Sequence, residues 1–181
     1  MGLEQLLGSL SSDANRRGRE FERLCKWFLL HDPVYRHELR RAWLWDEWPG
    51  RWAADAGIDV IAEDRRGGVW AVQCKAYDPV YSITKKDVDT FLSESSRPVF
   101  AFRLLVATTN RVGRTALRTI EGQEKPASLL LRADLEASQV VWPTSMAVAA
   151  STETARTDPR VGLERARRAV GVWVRPLARV R

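Results

Sequence analysis

Residues 57–75 read GIDVIAEDRRGGVWAVQCK. Two apolar runs flank a polar, glycine-containing turn, the pattern of a β-hairpin. Side chains alternate faces along a strand, so Gln73 and Lys75 share one face while Trp70, Val72 and Cys74 share the other. A loop from Asp64 to Gly68, with Glu63 paired to Val69, sets Asp59 opposite Gln73. Directly opposite residues project to one face with Cβ atoms about 4.5–5.5 Å apart. Asp59, Gln73 and Lys75 then converge on one patch, and a one-residue slip in register would separate them. Two oxygen donors beside an ammonium suit a Mg²⁺ and phosphate site, because magnesium takes one or two carboxylates with waters and phosphate oxygens. On geometry alone, an Asp–Lys pair closing the sheet edge is an equal alternative, since charged residues are seldom buried unpaired.

The chain around this hairpin has 181 residues, enough for one well-buried domain and a tail. It contains no run of 18 apolar residues, so no membrane span is expected. The start MGLEQLLGSL lacks a basic region followed by an apolar one and does not read as a signal peptide; Leu6 also breaks the myristoylation pattern. Cys25 and Cys74 sit in apolar runs and read as reduced, buried thiols of a cytoplasmic protein. His31 and His37 are too few for a zinc site. The formal charge of +6 is unevenly placed: residues 151–181 hold eight Arg, no Lys and three acids, which leaves 21 basic and 20 acidic residues in 1–150. Net charge therefore gives the folded part little attraction for nucleic acid, and any such attraction must come from local patches.

A short helix is expected over 3–10, then a longer one over 14–31 with Phe21, Leu24, Cys25, Phe28 and Leu29 on one stripe. Pro33 closes it. Residues 38–48 suggest a strand with Trp43 and Trp45 on one face, and a glycine-bounded loop leads to the hairpin, 58–63 and 69–75. Thr84 and Asp87 form a capping box that opens a helix over 85–96; a buried strand at 99–109, a helix at 111–122 and a short strand at 128–131 follow, then a turn and a last extended piece before Trp142-Pro143. A helix between two strands implies a parallel crossover. Helix, three strands, helix, strand, helix, strand is an α/β sandwich with a central mixed sheet. The expected division is an N-terminal arm at 1–14, a domain at 15–142 and an Arg-rich linker or disordered tail at 143–181.

In this order of elements the hairpin resembles that of the PD-(D/E)xK nucleases. More narrowly it resembles their Mrr-like branch, whose motif runs as Asp, a gap, then Gln-x-Lys: here Asp59, thirteen residues, and Gln73-Cys74-Lys75. GREFERLCKWFLLHDP (18–33) is similar to the first helix of that branch. WLWDEWP (43–49), FRLLVATTN (102–110) and DLEASQVVW (134–142) are similar to the nuclease domain that begins type ISP restriction enzymes and related helicase-nucleases. The resemblance implies a restriction-endonuclease-like α/β/α sandwich and Mg²⁺-dependent DNA cleavage, with Mn²⁺ able to substitute. It implies that Asp59 and the Gln73 amide oxygen bind the metal with the Cys74 carbonyl, that Lys75 orients or helps deprotonate water, and that Glu22 serves a second metal ion or its hydration shell. Glu20 takes that role if the helix phase is shifted by half a turn. An uncharged Gln73 in place of Asp or Glu weakens metal affinity.

Asp55 lies in a glycine-bounded loop, where a turn role outweighs metal ligation. Trp43, Trp45, Trp48 and Trp52 read as packing beneath the site rather than a stacking platform for displaced single-stranded DNA. Lys85 is a candidate DNA contact at a helix start; Lys86, Arg111 and Arg114 are equally ambiguous cations. No GxxxxGK[ST] phosphate loop is present. DNA is thus the expected partner, with a separate helicase, translocase or methyltransferase as the companion the resemblance implies. A non-catalytic DNA-binding or assembly module is the alternative.

Overall fold

The structure, a computed structural model, describes residues 2–154; residues 155–181, with most of the Arg-rich segment, lie outside the described residues. Helix α1 (Leu3–Gly8) precedes α2 (Ala14–His31). Asp13 caps α2 by accepting the Arg16 N–H at 2.8 Å, and the expected stripe from Phe21 to Leu29 is buried. Asp32 ends it and starts a one-turn helix α3 (Tyr35–Glu38), its carboxylate accepting the N–H groups of Val34 and Tyr35. Then come β1 (Leu39–Leu44), β2 (Val60–Asp64), β3 (Val69–Lys75), β4 (Ser82–Ile83), α4 (Lys85–Glu94), β5 (Phe100–Ala107), β6 (Arg111–Val112), α5 (Arg114–Glu121), β7 (Ala127–Leu130), α6 (Arg132–Ala137) and α7 (Met146–Thr154).

Five strands make the central sheet in the order β1-β2-β3-β5-β7. The β1/β2/β3 pairs are antiparallel and β3/β5/β7 parallel, so the sheet is mixed. Alternation on β3 divides its side chains between two cores. Val72 and Cys74 join Phe21, Leu24 and Phe28 of α2; Ala71 joins Val88 and Phe91 of α4 and Ile120 of α5. The result is an α/β/α sandwich of restriction-endonuclease-like form. The wall that α4 contributes is anchored from behind. Arg103, buried on β5, donates to the Leu92 carbonyl at 3.2 Å, and Lys125 donates to the carbonyls of Ser96 and Arg97 at 2.8 and 2.6 Å. Two cations thus satisfy the carbonyls at the negative end of α4.

Several elements differ from expectation. The first strand stops at Leu44 because residues 45–47 turn into a 3₁₀ segment, where Glu47 caps Leu44 and pairs with the buried Lys26 at 2.7 Å. Of residues 133–142, expected to turn and extend, 133–137 lie instead within α6, which is capped by Asp134 on the Leu131 N–H and buries Leu135. The packed unit is also wider than 15–142. Leu3 and Leu6 of the expected arm are buried in the α2 core, and Met146 and Ala149 of α7 pack there too. Short apolar segments before α2 and after α6 cover α2 because a single helix would leave its outer side wet.

Leu6 is fully buried. Leu6→Ala is expected to lower stability by about 2–5 kcal/mol, the range for a leucine truncated in a packed core. Urea unfolding measures it, and a change near zero would return residues 1–14 to the status of an arm.

Candidate active site

The hairpin register is the expected one: Glu63 pairs with Val69 and Val60 with Val72. Asp59 lies one step beyond the last pair, and there the strand departs from regularity. Its N–H donates across to the Val72 carbonyl at 2.9 Å, while its carbonyl accepts from Trp45 N–H at 2.9 Å on the other side. The freed position on β3 is filled by the side chain: Asp59 Oδ2 accepts the Cys74 N–H at 2.6 Å. Strand N–H groups lie in the sheet plane, so this carboxylate sits in the plane, at the open end where β2 leaves β3, and not squarely on one face. That position lets it interact with Lys75 above and with Glu22 of α2 below, both of which act on it or on its neighbours electrostatically. In a strand a residue's N–H and C=O leave on the same side, so the Cys74 carbonyl faces the same open end.

Gln73 is buried, and its amide is oriented by one bond. Nε2 donates to the Gly57 carbonyl at 3.0 Å. A carbonyl can only accept, which fixes the amide the right way round and turns Oε1 away. Oε1 is buried with no hydrogen-bond partner among the described residues. Gly57 reaches this position in the left-handed region, φ 61°, and an added Cβ would come within 3.0 Å of Thr90. Its N–H bonds the Asp55 carboxylate at 2.8 Å, so Asp55 has the expected turn role.

The electrostatics mark a site short of positive charge. Burial, then the Asp59 carboxylate, pushes Glu22 up to about 7, and Asp46 adds to the rise. Burial pushes Asp59 up to about 6 against the opposing effects of the Cys74 N–H and Lys75. Burial and the adjacent Cys25 push the Cys74 thiol far up, so it stays protonated in the core. Among the described residues no group of three or more His, Cys, Asp or Glu could hold a metal ion. Two carboxylates and one amide oxygen are what this end of the sheet offers.

Gln73 and Lys75 open into a cleft of about 810 Å³ between the 52–57 loop and α4. Lys86 lines it; Lys85, the expected DNA contact, is paired with Asp89 at 2.6 Å instead. Glu20 is held by the Ser11 N–H and by Arg16 at the far end of α2's first turns, so Glu22 is the helix carboxylate that meets the site. Arg111 donates to the Val80 carbonyl, and Arg114 stands exposed at the start of α5. Trp45 is buried, and Trp48 and Trp52 pack on it and on Phe100. Trp52 alone of these borders the cleft, with the Arg97 guanidinium 4.1 Å above its ring. Asp46, Gly57 and Arg97 do not stand out in the sequence; the Asp-Ala-Gly turn is the one legible signal, for Gly57.

A family model described as a restriction endonuclease, of the Mrr catalytic type, matches residues 30–152. The chain belongs to the Mrr-like restriction endonucleases. The matched span holds Asp59, Gln73 and Lys75 and begins after Glu22. Among solved structures, this Mrr-like chain is similar to the ATP-dependent type ISP restriction-modification enzyme LlaBIII bound to DNA. The identity is 25% with a TM-score of 0.65, over 78% of this chain and 9% of that one. It also shares a fold with the MspJI restriction endonuclease in complex with a 27-mer oligonucleotide, at 22% identity and a TM-score of 0.55, over 85% of this chain and 35% of that one. The chain thus spans a small part of the proteins it matches. No curated protein matches it. Among the described residues no helix is long and apolar enough to cross a membrane.

Both carboxylates bind protons more tightly folded than unfolded. Between their ordinary values of 3.8 and 4.5 and the raised values of about 6 and about 7, the folded state holds more protons, and stability falls as pH rises through that window. In metal-free buffer, the thermal midpoint should drop from pH 5 to pH 8 more in the wild type than in Glu22→Gln. Parallel profiles for the two proteins would mean that Glu22 is not held in this environment.

Proposed function

We propose that this chain is a Mg²⁺-dependent DNA endonuclease, with Asp59, Gln73 and the Cys74 carbonyl holding the metal and Glu22 serving the same ion or a second one. The observation that carries the reading is the Gln73 Oε1 atom, oriented by Gly57, buried, and without a donor among the described residues. An unsatisfied buried acceptor costs about 1–3 kcal/mol, and a cation beside two carboxylates of raised pKa would satisfy all three groups at once. Magnesium rarely uses an all-protein cage and takes the rest of its ligands from water and phosphate, so a donor set this small fits a metal completed by the DNA backbone. Mn²⁺ would take the same place.

Each residue then has a task in phosphodiester hydrolysis. The metal, when bound, supplies Lewis acidity at the phosphate. Lys75 reaches the cleft from the same face as Gln73, where its ammonium would orient the attacking water and offset charge building on the phosphate. Asp59 holds its position through the Cys74 N–H, so its second oxygen is directed without further ordering. Trp45 and the loop to Gly57 close the site on one side.

The chain covers a small share of LlaBIII, an ATP-dependent restriction-modification enzyme. We take a helicase, translocase or methyltransferase unit as the companion of this domain, and the cytoplasm as its compartment. The second reading, a non-catalytic DNA-binding or assembly module, is favoured by one observation: among the described residues no group of three or more His, Cys, Asp or Glu could hold a metal ion.

Plasmid nicking with Mg²⁺ or Mn²⁺ separates the two readings. Asp59→Ala should abolish cleavage with the fold intact. Lys75→Ala should lower the rate by about 10²–10³, the usual effect of removing one preorganised electrostatic group. Gln73→Glu should tighten metal binding and keep part of the activity. Equal nicking by wild type and Asp59→Ala at several metal concentrations would assign the activity to a contaminant and favour the module.

A further inference from the structure

The cleft that holds Lys75 has no net charge to attract DNA. Lys75, Lys86 and Arg97 line it with Asp55, Asp87 and Glu94. A second groove, of about 470 Å³, has the opposite character: Arg36, His37, Arg40, Arg41 and Arg65 line it, with Leu30, Leu39 and Ala42 beneath, and no acid among its walls. Of the acids nearby, Glu63 offsets part of the Arg40 charge, while Asp64 is occupied by other donors. Glu63 stands 3.7 Å from Arg40, and Asp64 accepts from the N–H groups of Arg66 and Gly68 and from the Trp70 indole.

This groove is built. Arg65, at the hairpin turn, donates from Nε to the His37 carbonyl at 2.8 Å and from Nη2 to the Arg36 carbonyl at 3.1 Å, and its own N–H donates to the Glu38 carbonyl. One guanidinium thereby ties α3 to the hairpin and holds like charges together against their repulsion. Charges along the edge strand β1 would by themselves serve to block edge-to-edge pairing. That purpose needs neither a concave site nor cations supplied from a turn and from α3, which lie off the strand.

The groove lies at the turn end of the hairpin, roughly 20 Å from Lys75 by the rise of β3. Its apolar floor belongs to the α2 core, whereas Gln73 opens on the α4 side. The two concavities therefore open beside different layers of the sandwich.

We propose that this groove is a second nucleic-acid site, binding the phosphate backbone of a duplex segment other than the one at the cleft, through Arg36, Arg40 and Arg41. Phosphate neutralisation by such cations supplies affinity without sequence and makes it salt-dependent. The inference rests on DNA being the substrate, but its test reads binding in the absence of metal and does not need cleavage.

The experiment is fluorescence anisotropy of a labelled DNA duplex with the full chain in EDTA, over a range of salt. The triple variant Arg36→Gln, Arg40→Gln, Arg41→Gln leaves Arg65 and its structural bonds in place. Affinity should fall at least tenfold, and the slope of log K against log salt should flatten by about 0.9 for each phosphate that is no longer neutralised. Arg118→Gln, exposed on α5 and outside both concavities, should bind as the wild type does. If the triple variant does not fold, the single exposed Arg40→Gln should show a smaller decrease in affinity and a slope change near one. Unchanged affinity and slope would overturn the proposal. So would an equal decrease in Arg118→Gln, which would make the loss a general effect of net charge, or capture of an acidic peptide by the wild type with no binding of duplex.

Discussion

The bond from the Cys74 N–H to Asp59 Oδ2, at 2.6 Å, is the interaction on which the site depends. It is made where β2 stops pairing with β3. Asp59 sends its N–H to one neighbour and its carbonyl to another, so its side chain completes the ladder in place of a backbone carbonyl. The carboxylate is thereby fixed in the plane of the sheet. From there it faces the two halves of the sandwich at once, Lys75 on the α4 side and Glu22 on the α2 side. A regular strand would have committed Asp59 to one layer and separated the two.

The remaining structure holds that end open and rigid. Lys26, one turn beyond Glu22 on α2, is buried against Glu47, which also caps the turn after β1. This lock joins α2 to the segment carrying Trp45, whose N–H donates to the Asp59 carbonyl. On the other face, Tyr77 and Tyr81 both donate to Asp87, and Thr108 and Thr109 bond the carbonyls of the 77–81 loop. The chain leaving Lys75 is thus tied to both α4 and the end of β5. Arg103 and Lys125 in turn secure the far end of α4. Charges and hydrogen bonds at the rim set positions that the two apolar cores alone would leave loose.

Much of this is legible in sequence where periodicity is strong. The α2 stripe, the hairpin register and the parallel strand at Phe100–Ala107 follow from spacing alone, because burying one face leaves no second solution. The region of Asp59, Gln73 and Lys75 is legible for the same reason. What sequence does not convey are local choices made by single hydrogen bonds. Trp45 still donates to the Asp59 carbonyl, the next partner in the β1/β2 register, and the chain then turns as Glu47 caps Leu44. Residues 132–137 become a helix through the Asp134 cap. Gln73 Oε1 is orphaned because Gly57 takes the other end of the amide. Lys85 and Lys86 are indistinguishable in sequence; the helix phase points the first at Asp89 and the second into the cleft. The groove of Arg36, Arg40, Arg41 and Arg65 is hidden because it gathers a turn, a one-turn helix and a strand that are distant along the chain.

The central claim is that the end of β2 and β3 holds a divalent cation on Asp59 and Gln73. A crystal grown with Mn²⁺ and measured by anomalous diffraction tests it most directly. The structure predicts an anomalous peak coordinated by the Asp59 carboxylate and Gln73 Oε1, with the Gln73 amide still donating to Gly57. A Gln73 Oε1 paired with a protein donor, and no peak beside Asp59, would contradict it.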